Sequence, residues 1–500
     1  MVIGIYMQKY FLEIIVFICG AVVMILELVG SRILAPFLGN SLFVWTSLIG
    51  VILGSLSFGY WWGGKLADQN PTKKIFSLII FCAALFIGLT ALIKYPILNN
   101  IYNNFDIRLG SIMASVILFT PASLLLGMVS PYAVKLRMNS LNVSGKTVGN
   151  LYAISTIGSI GGTFLAGFYL ISVFGDTKII IILAIILLGT SLIAWSGGII
   201  KVRSLLILLL IIYFSGLNFQ NTSLAKQNKI ELDTQYNHVV IYDGYDNRTS
   251  RPVRFLITGP YTLQSAEFLD QNNDLVFEYS KYYRLAEHFN PGFNQALLIG
   301  GGAYSFPKDY LRRYKNSTLD VVEIDPQLTK LARQYFGLKD DPRLTIYHQD
   351  GRIFLNQTKN KYDVIYLDAF KSIEIPHHLT TKETVEKIYQ ALNDNGVVLS
   401  NLISAIEGNK GKFLRAEYAT YKSVFPQTFI LPVQDAKQSL RDQNIILVAL
   451  KSKVTPAWTS ANFEFNEYLS HLWREPIPAD LPILTDDYSP VEQYIAEILL

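Results

Sequence analysis

Four groups in the C-terminal half are of the right type and spacing to do chemistry together. Gly300, Gly301 and Gly302 follow the apolar run Ala296–Ile299. Glu323 ends a second apolar run roughly twenty residues later, the interval of a nucleoside-binding unit. Asp350 stands in His-Gln-Asp-Gly351, and Asp368 closes Asp363-Val-Ile-Tyr-Leu-Asp368. Glycines let a backbone turn sharply and come close to a ligand. A carboxylate at the tip of the next strand can accept hydrogen bonds from both ribose hydroxyls. Asp350 is placed to reach an adenine amino group, and Asp368 to point a carboxylate into the same crevice. The bland alternatives are an ordinary tight strand–helix turn for the glycines and a helix N-cap for any single strand-end Asp. Four such signals in the right order weaken those alternatives for the set.

Such groups must be carried by strand ends. The runs Ala296–Ile299, Thr318–Ile324, Leu344–His348, Asp363–Leu367 and Gly396–Leu402 alternate with helical stretches. That alternation predicts a mostly parallel sheet with helices on both faces, a Rossmann-like domain over 291–500, with ligands at the carboxyl ends of the strands. Upstream, His238–Asp243 and Arg254–Thr258 are separated by Gly244, Asn247 and Pro252. They read as a hairpin, and residues 221–290 as a small β cap over the site.

The N-terminal half is of another kind. The 500 residues are 51% hydrophobic and 16% charged, and the charge deficit falls on residues 1–220. Ordinary soluble chains carry about 25% charged residues. Seven apolar spans, near 11–34, 42–63, 75–93, 110–132, 149–173, 178–198 and 204–219, predict a transmembrane helical domain embedded in the lipid bilayer. The first run is too long for a cleavable signal peptide and leads into further spans. Gly158 with Gly162, and Gly50 with Gly54, are small-xxx-small pairs suited to close helix contact. Glu27 and Arg32 are ionisable groups in or at the end of the first span, and Lys65 and Asp68 close the second. Glu27 is equally a functional candidate and a partner in a bundle ion pair.

Basic residues gather at Lys65, Lys73 and Lys74, at Lys135, Arg137 and Lys146, and at Lys201 and Arg203, which places those loops in the cytoplasm. Seven full crossings would leave the C-terminal half outside, whereas a nucleoside-using domain is expected in the cytoplasm. A span count off by one is the favoured reconciliation; failure of the short run 204–219 to cross is another, and an unusual orientation a third. The net charge of +4 gives no nucleic-acid footprint. Cys19 and Cys82 both lie in apolar runs, so neither a disulfide framework nor a metal site is expected.

Residues 230–500 resemble the spermidine synthase family of aminopropyltransferases, whose fold is related to S-adenosylmethionine-dependent methyltransferases. The matching pieces are Gly259-Pro-Tyr-Thr-Leu-Gln264-Ser265, Tyr279, Gly300-Gly-Gly302, Val322-Glu323-Ile-Asp325, Asp350-Gly351 and Asp363-Val-Ile-Tyr-Leu-Asp368. The whole chain is similar to the membrane-fused branch, with Asn150-Leu-Tyr-Ala-Ile-Ser-Thr-Ile-Gly-Ser and Leu484-Thr-Asp-Asp-Tyr-Ser-Pro-Val-Glu492 as its recurring stretches. The resemblance implies that Gln264 and Glu323 hold a nucleoside, with Gly300, Gly302 and Gly351 beside it, and that Asp350 meets the adenine. It implies that Tyr279 and Asp368 orient and deprotonate an attacking small-molecule amine. The co-substrate would be decarboxylated S-adenosylmethionine, with no prosthetic group, no metal and no nucleic acid, in an integral protein of the cell membrane that is compatible with a homodimer.

Two departures bear on the substrate. The family turn is Gly-Gly-Gly-Asp-Gly-Gly, and this chain has Ala303, Tyr304 and Ser305; the family's Asp-Ser-Ser-Asp is Asp368-Ala-Phe-Lys371. Both remove an acid that would match a cationic amine. An alanine at 303 would leave room for the carboxylate of intact S-adenosylmethionine, so a methyltransferase is the second enzymatic reading. A polyamine transporter or sensor with a non-catalytic synthase-like domain is the reading from another class.

Overall fold

The computed structural model describes residues 2–38, 41–138, 144–195, a few positions between 202 and 209, 229–234, 236–258, 263–270, 274–369 and 375–499. The chain forms two compact units, Met1–Gln227 and Asn228–Leu500.

In the first unit, long uninterrupted apolar stretches satisfy their backbone hydrogen bonds as helices. These are α1 (Val2–Leu38), α2 (Leu42–Gln69), α3 (Lys73–Asn104), α4 (Ile107–Arg137), α5 (Ser144–Leu165) and α6 (Asp176–Ala194). Among the described residues, six helices are long and apolar enough to cross a membrane. The seventh run, 204–219, lies almost wholly outside the described residues. Gly158 and Gly162 bring α5 against α1: a methyl group on them would lie 2.1 Å from the Phe17 carbonyl oxygen and 2.5 Å from that of Ala21. The other expected pair is corrected. Gly50 and Gly54 face open space, and it is Gly59 and Gly63, two turns further along α2, that press onto Leu124 and Met128 of α4. The four-residue spacing is the same, but only the second pair sits on the stripe of α2 that meets a neighbour. Ion pairs join Lys94 to Asp176 at 2.8 Å, Arg137 to Glu13 at 3.1 Å and Lys135 to Asp68 at 2.6 Å.

The second unit holds two sheets. The first is a four-stranded antiparallel sheet in the order β1 (Lys229–Asp233), β2 (His238–Tyr245), β3 (Pro252–Thr258), β4 (Leu263–Phe268). It is wider than the expected hairpin, which is its β2–β3 pair. The second sheet has seven strands: β5 (Gln295–Ile299), β6 (Thr318–Val322), β7 (Leu344–Tyr347), β8 (Tyr362–Leu367), β9 (Leu392–Ser404), β10 (Gln427–Pro432) and β11 (Gln443–Leu450). Their order is β10-β11-β9-β8-β5-β6-β7.

Strands β5 to β9 pair in parallel, while β11 runs antiparallel to β9 and β10 antiparallel to β11. The parallel strands are apolar on both faces because helices cover both. Those used below are α7 (Ser305–Arg313), α8 (Pro326–Tyr335), α9 (Gly351–Gln357), α10 (Lys382–Ala391) and α11 (Lys412–Lys422). From β5 the chain goes to β6 on one side, while β8 lies on the other. The strand order therefore reverses between β5 and β8, and it is at the carboxyl ends of such a switch point that sheets of this kind bind ligands.

Candidate active site

Gly300 is the pivot. Its φ is +101°, a region that L residues avoid, and its amide donates to Val322 O at 2.9 Å. A methyl group on it would lie 2.3 Å from the Asp368 carbonyl oxygen. The glycine therefore allows the ends of β5 and β8 to touch, which brings the turn and Asp368 into one place. Gly302 also has positive φ, +53°. Tyr304 takes the left-handed conformation at φ +59° where the family turn has glycine. Its ring is fully buried and its hydroxyl bonds Thr329 Oγ1 at 2.7 Å, which holds that conformation in place.

Glu323 closes over the turn. Its Oε2 accepts from the Gly301 and Gly302 amides at 2.8 and 3.1 Å, and its Oε1 from the Asp325 amide at 2.9 Å. The next amide, of Ala303, donates to Ser265 Oγ at 3.0 Å. The turn's donors are thus consumed by the protein's own oxygens, so this is no phosphate cradle. Burial raises the Glu323 pKa above the usual value, opposed by the three backbone donors. One acceptor position remains on Oε1.

Gln264 lies on β4 between Ser265, which pairs with Leu256, and Leu263, which pairs with Ile257. It is the extra residue of a β-bulge, a device that re-aims side chains. Ser265 and Ser305, the latter donating to Ala266 O at 2.9 Å, tie β4 to the glycine turn. Thr234, beyond β1, donates to Asp325 Oδ2 at 2.5 Å. The first sheet is thereby fastened to the strand ends of the second. The preceding stretch 259–262 of the matching motif lies outside the described residues.

Asp350 is the N-cap of α9: its Oδ1 accepts from the Arg352 and Ile353 amides at 2.8 and 3.1 Å. Its Oδ2 lies 2.9 Å from His378 Nε2, and that partner holds its carboxyl below the usual range. The bland alternative thus describes one of its oxygens. Gly351 follows because the start of α9 passes under β5; a methyl group there would sit 2.6 Å from Ile299 Cγ2.

Asp368 is different. The segment after it, 370–374, which includes Lys371, lies outside the described residues, and among the described residues it caps no helix. Tyr279 Oη donates to its Oδ2 and Asn401 Nδ2 to its Oδ1, each at 3.3 Å. The buried Tyr283 hydroxyl faces the same carboxylate and has no partner in hydrogen-bond geometry among the described residues. The donor face of Asn401 is set from behind: Asn444 Nδ2 donates to Asn401 Oδ1 at 3.0 Å, and Gln434 Nε2 to Asn444 Oδ1 at 3.1 Å. Burial pushes the Asp368 pKa up to about 6, against the lowering effect of Asn401 and the two tyrosines. A carboxylate so tuned accepts a proton near neutrality. Tyr279 is correspondingly pushed well above its usual value by burial and by Asp368, so it stays a hydrogen-bond donor.

Sequence reasoning missed Asn401, Tyr283 and His378. Asn401 left a faint trace, as the one amide side chain in the buried run Val397–Ser404; the others show no pattern along the chain.

Residues 278–432 match the model of the spermine/spermidine synthase domain. The chain is 29% identical over 288 residues to a polyamine aminopropyltransferase of Vibrio vulnificus, covering 54% of this chain and 91% of that one. The C-terminal half is spermidine synthase-like. A polyamine aminopropyltransferase of Streptococcus uberis is 37% identical over 138 residues, 26% of this chain and 47% of that one. The chain spans 29% of the length of a probable polyamine aminopropyl transferase of Bifidobacterium longum, at 34% identity. Among solved structures, a probable spermidine synthase from Corynebacterium glutamicum overlays with a TM-score of 0.41 and 23% identity, over 50% of this chain and 88% of that one. In the synthase-like half the match begins at Glu278, one residue before Tyr279, and runs through β5 to β10.

Proposed function

We propose that this chain is an integral-membrane aminopropyltransferase. Its synthase-like half would transfer an aminopropyl group from decarboxylated S-adenosylmethionine to an amine such as putrescine. The amine nitrogen attacks the carbon next to the sulfonium, the carbon–sulfur bond breaks with its electrons going to sulfur, and methylthioadenosine leaves. The surplus proton of the amine goes to Asp368. The observation that carries this reading is the Asp368 carboxylate, poised near pH 6 between Tyr279 and Asn401 and set against the glycine turn. In this reading Gln264 and Glu323 hold the ribose, Asp350 and Gly351 border the adenine, and the four-stranded sheet caps the crevice.

Intact S-adenosylmethionine is the weaker donor. Ala303 packs fully buried beside Val239, Ile241 and Leu256, so the missing acid opens no polar room for a carboxylate. Product analysis with both donors tests the proposal. Methylthioadenosine with a lengthened amine is expected; S-adenosylhomocysteine instead would make the protein a methyltransferase.

The membrane half fits a cytoplasmic site in the cell membrane. The six candidate crossings among the described residues, taken alone, would return the chain to the side that carries Lys65, Lys73, Lys74, Lys135 and Arg137.

Glu323→Ala removes the carboxylate that holds two turn amides and, in this reading, the ribose. Orphaning a buried donor costs about 1–3 kcal/mol. Calorimetry with methylthioadenosine should show affinity lowered by roughly 5- to 150-fold. Unchanged affinity would remove Glu323 from the site.

A further inference from the structure

The recurring stretch Leu484–Ser489 has no role in the reaction described above, yet it is stitched to α10 and α11. Leu484 O accepts from the Lys382 amide at 2.8 Å, and its amide donates to Thr420 Oγ1 at 2.9 Å. Thr485 and Tyr488 close a turn on each other. Within this frame Asp486 projects a carboxylate to two places at once. Arg352 Nη2 donates to its Oδ2 at 2.8 Å and Thr381 Oγ1 to its Oδ1 at 2.6 Å. Arg352 also bonds Thr384 Oγ1 and Thr381 Oγ1.

Both places lead to Asp350. The Arg352 amide is itself one of the donors to Asp350 Oδ1, and the segment that contains Thr381 and Thr384 also supplies His378, the partner of Oδ2. Thr384 Oγ1 donates to His378 O at 2.5 Å. The carboxylate of Asp350 is therefore oriented by the Arg352 and Ile353 amides on Oδ1 and by His378 on Oδ2, and Asp486 ties the first turn of α9 to the segment that bears His378.

We propose that Asp486 is a positioning residue for the nucleoside site: through Arg352 and Thr381 it fixes the distance between α9 and His378, and so the direction in which Asp350 faces the crevice. The inference rests on the reading that Asp350 meets the adenine. The backbone anchors of 484–489 do not use the Asp486 side chain, so its loss leaves the segment docked. Losing it removes the anion that Arg352 Nη2 meets and leaves the guanidinium held through Nη1 alone, by Thr381, Thr384 and His378 O, so that α9 and the His378 segment are tied less tightly.

The test is calorimetry with methylthioadenosine on the full-length protein in detergent, together with steady-state kinetics. Asp486→Ala should weaken methylthioadenosine by about tenfold, the scale on which outer partners of a binding group act. Asp486→Asn, which keeps the bond from Thr381, should lie between Ala and wild type. The donor KM should rise while kcat at saturation is kept, a split that general destabilisation does not produce. Asp487→Asn, at the exposed neighbouring acid, should match wild type. Wild-type affinity in Asp486→Ala, or a fall in kcat with an unchanged donor KM, overturns the inference and leaves the nucleoside reading standing. A wild-type protein that does not bind methylthioadenosine overturns both.

Discussion

Asp368→Asn is expected to lower turnover by about 10²-fold or more at neutral pH while methylthioadenosine still binds. Asn keeps the shape of the side chain and can still accept from Tyr279, but it cannot take a proton from an amine. The pH profile gives a second reading. Only the ionised carboxylate is a base, so kcat/KM of the wild type should rise as pH increases through about 6 and level off above it. That limb should vanish in the Asn variant.

Stability should move the other way. The folded pKa lies above the usual 3.8, so the native state binds more protons than the unfolded chain between about pH 4 and pH 6. Stability from this group is then full below pH 4 and is lost as pH rises to 6, by on the order of 2 kcal/mol after allowance for partial solvent access. Above pH 6 the Asn variant should melt no lower than wild type. Near-normal turnover in the variant would take the proton transfer away from Asp368.

Gly300→Ala should abolish function by geometry alone. The residue would be forced to keep φ +101° with a methyl group, and that methyl would stand 2.3 Å from the Asp368 carbonyl oxygen and 3.0 Å from Ala369 Cα. These neighbours are backbone, so relief requires the ends of β5 and β8 to separate. Strain and overpacking of this kind cost about 1–3 kcal/mol each. A displacement of about 1 Å at a reacting group is worth ~10²-fold in rate. We expect less than about 1% of wild-type turnover and a lower melting temperature. Gly292→Ala is the control: it also has positive φ, +80°, but nothing lies within 4 Å of the added methyl. It should lose some stability and keep its turnover. Equal turnover in Gly300→Ala and wild type would show that the contact between turn and Asp368 is dispensable.

Much of the parallel sheet could be read along the chain. β5, β6, β7 and β8 coincide with the expected runs to within about two residues, because strands covered on both faces are continuous apolar segments bounded by turn residues. The antiparallel β10 and β11 and the outer strands β1 and β4 were not anticipated. Gln443–Leu450 is as apolar as β8, but pairing direction depends on connections rather than composition. Candidate residues at strand ends could be named, but their partners could not. Asn401 comes from a strand distant in sequence, His378 from the short 3-10 turn His377–Leu379, and the glycines of α2 that meet α4 differ from their neighbours Gly50 and Gly54 only in helix phase.

The closure of Glu323 over the glycine turn has a thermodynamic consequence. The amides of Gly301, Gly302, Ala303 and Asp325 are occupied by Glu323 and Ser265. In the proposed nucleoside-binding reading, the turn is thus ordered by the protein's own oxygens and itself adds little chain ordering to association. Affinity is then set by contacts with the ligand rather than reduced by a conformational equilibrium. In a temperature series, heat capacity changes should track only the surface that the ligand itself covers, without the larger negative values that accompany coupled folding of a loop.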